Sequence, residues 1–293
     1  MKLSRAIDVY LTLSGGAAET VRARRYNLAR LAAFLGDIKV AQITPERLES
    51  FQAFERARVS QNTWATRARQ IHALFKWLVR ENYILRDPSR SLDARRIPSA
   101  RPRILTAPEE RRLLAAASHR TRLRLLLALD AGLRRGEVIR LRVRDISLSH
   151  QGGLIKVDAF RAPRARRIPM TGRLLAETLL LKPHDIGFRE APLFHFGGDD
   201  LSILSSGDFM GDLCRRAGVR CRFHDLRHTF AARLAAVEPN SRVIRALLGG
   251  RLRAKTERGR VSLAMMRDAI RRLEAARRSG ALARSKLSIP TTK

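Results

Sequence analysis

The chain has 293 residues, of which 59 are Lys or Arg and 27 are Asp or Glu, for a formal net charge of +32. Apolar residues make up 45% of it, enough for two hydrophobic cores and too many for a disordered tail. So large a positive surplus attracts polyanions, and neither an 18-residue apolar run nor a signal-peptide pattern occurs, so nucleic acid is favoured over a membrane.

The first 97 residues read as helical. Val21, Leu28, Leu31 and Leu35 form one apolar stripe, and "PERLESFQAF" (45–54) reads as a short helix capped by Thr44 with Pro45 at its first position. Trp64, Ala68, Ile71, Phe75 and Leu78 recur at 4-3-4-3 spacing, which puts them on the core face of a helix over 62–82. Arg67, Arg69 and Lys76 fall elsewhere on that helix and are candidate DNA contacts. "RRIPSARPRIL" (95–105), with two prolines and no periodicity, then reads as a basic linker over 98–105 that carries Arg101 and Arg103.

The second domain, 106–293, opens on a capping box made by Thr106 and Glu109. "ISLSH", "LIKVDAF" and "RRIPM" read as short strands, and the chain is helical again from 172 to about 277. A stripe through Leu263, Met266, Ile270 and Leu273 suits either docking on a neighbouring subunit or folding onto its own core. Cys214 and Cys221 fit no zinc spacing and read as small buried residues of a reducing cytoplasm.

Three basic clusters follow one another in this half. "AGLRRGEVIRL" (131–141) places Arg134 and Arg135 at a helix junction, with Glu137 one turn on as a candidate tether for Arg134. "RAPRARRIPM" (161–170) is a basic hairpin that contributes Arg161, Arg164 and Arg166. "HDLRHTFAARL" (224–234) puts His224 and Arg227 on one face near a helix N-terminus, where guanidinium forks and backbone amides both suit phosphate oxygens. Any one cluster alone is a solvated basic face.

In this order, after a basic helical domain, they resemble the tyrosine recombinases of the phage-integrase family. The resemblance implies a mainly α-helical chain in two domains. The first is a SAM-like core-binding domain over 1–97. The second is an α+β catalytic-type domain with a small antiparallel sheet, and the pair closes as a C-shaped clamp on double-stranded DNA. It implies chemistry without a metal or other cofactor: a Tyr hydroxyl attacks a DNA phosphate, two Arg stabilise the charged transition state, a hairpin Lys acts as general acid and a His assists. The positions carried over are Arg134, His224 and Arg227 for phosphate binding.

Three other family positions are substituted. "LLGG" (247–250) has Gly250 where the family has a second His or Trp, the hairpin Lys falls on Arg161, and the Tyr falls on Gly259 within "KTERGRVSLAMMRDAI". The only tyrosines are Tyr10, Tyr26 and Tyr83, so identical subunits cannot donate one from the second domain. Arg at 161 holds its proton too tightly to serve as a general acid. The leading expectation is a nucleoid-associated DNA-binding recombinase relative that does not cleave alone, as a homo-oligomer on DNA or in a hetero-complex with an active recombinase: an accessory subunit, a regulator of a mobile element, or a decaying integrase copy. An active site-specific recombinase using a nucleophile from a partner or from an unrecognised residue, and a non-specific DNA-coating protein, are the alternatives.

Overall fold

The computed structural model describes residues 1–98, 102–150, 152–159, 165–181, 189–194, 208–250 and 261–284. The chain folds as two compact units, Met1–Ala100 and Arg101–Lys293.

Four helices build the first unit: α1 (Leu3–Ser14), α2 (Ala18–Leu35), α3 (Pro45–Arg56) and α4 (Gln61–Arg80). Thr44 caps α3 by accepting from the Arg47 amide, and Ser60 caps α4 by accepting from that of Thr63. The expected stripe of α4, Trp64 through Leu78, is fully buried, and Leu28 and Leu31 of α2 join it. Arg67, expected to reach DNA, lies inside the core instead, and the structure corrects that expectation. The reason is Glu55 on α3, a fully buried carboxylate that needs counter-charge. It receives the guanidinium of Arg67 together with that of Arg30, at 2.8 Å, while Arg67 Nε donates to Asn27 Oδ1 at 3.1 Å. Arg69 and Lys76 remain exposed on the same helix. Tyr10 packs 5.7 Å from Trp77, ring centre to ring centre, and Tyr83 lies 5.6 Å from that indole, so both serve packing.

The second unit starts with α5 (Ala107–Ala115), whose Thr106–Glu109 capping box forms as expected. Helices α6 (His119–Leu129) and α7 (Arg135–Arg140) follow. Strands β1 (Ile146–Ser149), β2 (Gly152–Val157) and β3 (Arg166–Pro169) form an antiparallel sheet in that order, with Ile155 between Ile146 and Ile168. Then come α8 (Gly172–Leu179), α9 (Asp208–Ala217), α10 (Phe223–Val237), α11 (Ser241–Leu248), α12 (Leu263–Arg278) and α13 (Ala281–Arg284). The stripe on α12 folds onto its own unit: Met266, Ile270 and Leu273 are buried in the same core as Leu226 and Phe230 of α10.

That core pins one turn at the future site. Gly132, between α6 and α7, sits at φ +64°, and a Cβ there would lie 2.6 Å from Phe230 Cδ1. Backbone strain and overpacking therefore act together, and Gly132→Ala is expected to destabilise the protein by about 2–4 kcal/mol in urea unfolding. A loss under about 0.5 kcal/mol, the size of an ordinary surface change, would show that the turn relaxes freely.

Candidate functional site

Three elements converge on one carboxylate. Glu137, in the first turn of α7, is almost fully buried. Its Oε2 accepts from the Arg134 amide at 2.8 Å and its Oε1 from Arg134 Nη1 at 3.1 Å, so the expected tether is present. Arg166 of β3 grips the same carboxylate with both terminal nitrogens, at 3.0 and 2.9 Å. Arg227 of α10 approaches Oε2 to 3.8 Å.

Arg227 is also fixed from two further sides. It donates to the Gly132 carbonyl and, at 2.6 Å, to that of Leu248 at the end of α11. Arg166 Nε donates to the neighbouring carbonyl of Leu247 at 2.9 Å. The chain leaves α11 through Gly249 in the left-handed conformation, φ +66°, where a Cβ would fall 2.7 Å from the Arg166 guanidinium. Gly132 and Gly249 thus let backbone carbonyls come close enough to orient two buried arginines.

Three guanidinium groups face one carboxylate, which leaves two net positive charges in a sheltered pocket. Burial opposes the charge on Glu137, yet the Arg166 fork and then Arg134 hold its carboxyl below the usual glutamate range. Burial, followed by repulsion from Arg134, brings Arg227 down to about 9, so it stays protonated at neutral pH. His224 and His228, with ring centres 4.4 Å apart, stand on the outer side of α10. Burial and then His228, Arg227 and Arg134 lower the His224 pKa, which keeps its imidazole neutral at pH 7.

The three retained positions, Arg134, His224 and Arg227, therefore come together. Arg135 follows Arg134 half-buried, and Arg103 is exposed and paired with Glu109. Arg166 departs from the expectation of a DNA contact. Strand alternation turns it to the same side as buried Ile168, and Glu137 together with the Leu247 carbonyl takes up its fork. Gly250 is exposed and leaves ordinary van der Waals space for a Cβ, 3.6 Å from that of Arg245. Arg101, Arg161, Arg164 and Gly259 lie outside the described residues.

A second buried cluster went unassigned in the sequence. Asp130, fully buried at the end of α6, receives the Thr171 hydroxyl at 2.7 Å, both arms of Arg173 at 2.6 Å, and Arg277 of α12 at 2.8 Å. Arg173 also reaches Glu110 of α5 at 2.6 Å, and Glu110 pairs with Arg233 of α10.

Comparison with known proteins decides what kind of scaffold this is. The phage integrase family model matches residues 102–258, and the model of the phage integrase N-terminal SAM-like domain matches residues 8–82. The chain belongs to the phage integrase family. It is a protein of tyrosine-recombinase type, the class concerned with DNA recombination. "Tyrosine recombinase XerC 2" of Ralstonia nicotianae is 28% identical over 263 residues, covering 82% of this chain and 75% of the relative. "Tyrosine recombinase XerA" of Pyrococcus furiosus is 25% identical over 251 residues, covering 82% of each. In fold, this integrase matches a lambda integrase dimer bound to a COC′ core site with TM-score 0.70 and 16% identity, over 90% of this chain and 81% of that one. The Tn1549 transposon integrase in complex with circular intermediate DNA matches with TM-score 0.66 and 17% identity, over 92% and 98%. Among the described residues no helix is long and apolar enough to cross a membrane.

Proposed function

We propose that this integrase relative grips duplex DNA by its phosphates at the Arg134–Glu137–Arg227–His224 pocket and does not cleave it unaided. The observation that carries this reading is the convergence of Arg134, Arg166 and Arg227 on the buried Glu137 carboxylate in a chain with no tyrosine after Tyr83. Glu137 cancels one of three guanidinium charges, and the two left over match an anionic phosphodiester. Arg134, a third exposed, keeps N–H groups beyond its Glu137 contact to offer a phosphate oxygen. The neutral His224 imidazole donates a further N–H. No proton need leave either group for binding, so the pocket works as a clamp at neutral pH.

Cleavage requires more than charge stabilisation. An attacking hydroxyl and a proton for the leaving oxygen are both needed, and the family positions for these groups hold Gly259 and Arg161. The chain is on this reading the accessory or regulatory member of a DNA-recombination system, and its basic N-terminal unit, with Arg69 and Lys76 exposed, adds contacts along the backbone.

The test mixes purified protein with sheared genomic DNA and sequences the fragments recovered with and without an SDS wash. Fragments enriched at a few loci and fully released by SDS are the expected result. Fragments that survive SDS would establish a covalent link and overturn the proposal, and uniform recovery without enrichment would favour non-specific coating. In the same assay Arg134→Ala is expected to weaken binding about tenfold on every sequence and to reduce the slope of log affinity against log salt by about 1. An unchanged slope would remove Arg134 from the phosphate contacts.

A further inference from the structure

The DNA-binding pocket leaves the two cysteines unused, and the fold brings them together. Cys214 lies in the last turns of α9, and Gly218 ends that helix at φ +62°. The turn is closed by the Gly218 amide donating to the Arg215 carbonyl at 3.3 Å and the Val219 amide donating to that of Cys214 at 2.9 Å. The chain therefore doubles back and sets Cys221 beside Cys214. Their sulfurs are 3.5 Å apart, and the Cys214 thiol donates to the Cys221 carbonyl at 3.3 Å. Both residues are half-buried rather than sealed off, so a small oxidant has access. Among the described residues no third His, Cys, Asp or Glu joins them in a group that would hold a metal ion.

We propose that Cys214 and Cys221 are a redox-active dithiol site that closes to an intramolecular disulfide on reaction with a small hydroperoxide and reopens with a low-molecular-weight thiol. The two sulfurs stand 3.5 Å apart, so either can attack first and the other resolve. When the Cys214 thiolate attacks the peroxide, an S–O bond forms, the O–O bond breaks, and hydroxide leaves as water. Cys221 then attacks the sulfenic sulfur, the S–S bond forms, the S–O bond breaks, and a second water departs with the Cys221 proton. Two electrons pass from the two sulfurs to the peroxide. Closure moves the sulfurs nearer by about 1.5 Å, within reach of side-chain rotation.

The consequence lies one residue further on. Cys221 precedes Arg222, the N-cap of α10, and α10 carries His224 and Arg227. Phe209 of α9 and Phe223 of α10 already pack with ring centres 6.3 Å apart, so the bond would tie α9 to the start of α10, the helix that carries His224 and Arg227. The site takes peroxide whether or not the pocket binds DNA.

The experiment exposes the full chain to stoichiometric hydrogen peroxide, quenches it, and labels free thiols with N-ethylmaleimide under denaturing conditions before intact-mass measurement. The expected product is a monomer that is about 2 Da lighter, takes up no label, and regains both thiols with dithiothreitol. Its thermal midpoint should rise by roughly 5 °C over the reduced form. Cys214→Ser and Cys221→Ser should each abolish the mass loss and leave the remaining cysteine labelled or singly oxidised. Peroxide-treated wild type that still takes two labels would overturn the proposal, and so would a product consisting only of disulfide-linked dimers.

Discussion

Glu137→Gln is expected to lower the unfolding free energy of this protein by about 3 kcal/mol at pH 7. The amide keeps the size of the carboxylate and part of its hydrogen bonding, so the loss reports charge rather than packing. Arg166 is almost fully buried, Arg227 nearly so, and both depend on that one negative charge. Urea unfolding of the two proteins measures the difference, and a loss below about 1 kcal/mol would mean that the arginines find water instead. Added inorganic phosphate supplies a second check. An anion bound between Arg134 and Arg227 restores the missing charge, so phosphate should stabilise the variant more than the wild type. Equal stabilisation of both would argue against an anion site at this carboxylate.

The second large effect concerns Asp130 and pH. Burial works against its charge, but Arg173 and then Arg277 hold its carboxyl far below the usual aspartate value of about 3.9. A depressed folded-state pKa contributes stability that is fully present above the unfolded value and is lost as pH falls toward the folded one. Asp130→Asn should therefore cost about 3 kcal/mol at pH 7, because Arg173 and Arg277 lose their partner. The stability curves of variant and wild type should run parallel from pH 5 to 8, in round terms, and converge below about pH 4 as the unfolded aspartate takes up its proton. Chemical denaturation at a series of pH values tests this. A gap that stays constant down to about pH 3 would assign the loss to packing instead. Arg277 lies on α12, so the same substitution should loosen α12 first, which amide hydrogen exchange detects.

Much of this architecture was legible before any coordinates. The 4-3-4-3 stripe of α4 had one way to be buried, and the Thr106–Glu109 pair had one helix to start. The "AGLRRGE" and "HDLRHTF" motifs singled out Arg134, His224 and Arg227, which lie near one another in the fold although about ninety residues separate the two motifs in the chain. The basic residues were harder to sort. Arg67 and Arg166 carry the same charge as Arg69 and Arg134, and nothing local says which of them meets a buried carboxylate. For Arg166 one signal existed, since its position two before Ile168 places it on the inner face of β3.

What the sequence by itself determined is the mainly helical character with three short strands, the family motifs, the surplus of positive charge and the absence of a tyrosine after Tyr83. Each follows from short-range periodicity, local capping or simple inventory. Only the tertiary structure decided which arginines are free for phosphate and which hold the protein together. That choice depends on Glu55, Glu137 and Asp130, which draw Arg67, Arg166 and Arg277 from 12 to 147 residues away. A carboxylate enclosed by the core must be neutralised by whatever cation the fold delivers, and periodicity carries no record of that pairing.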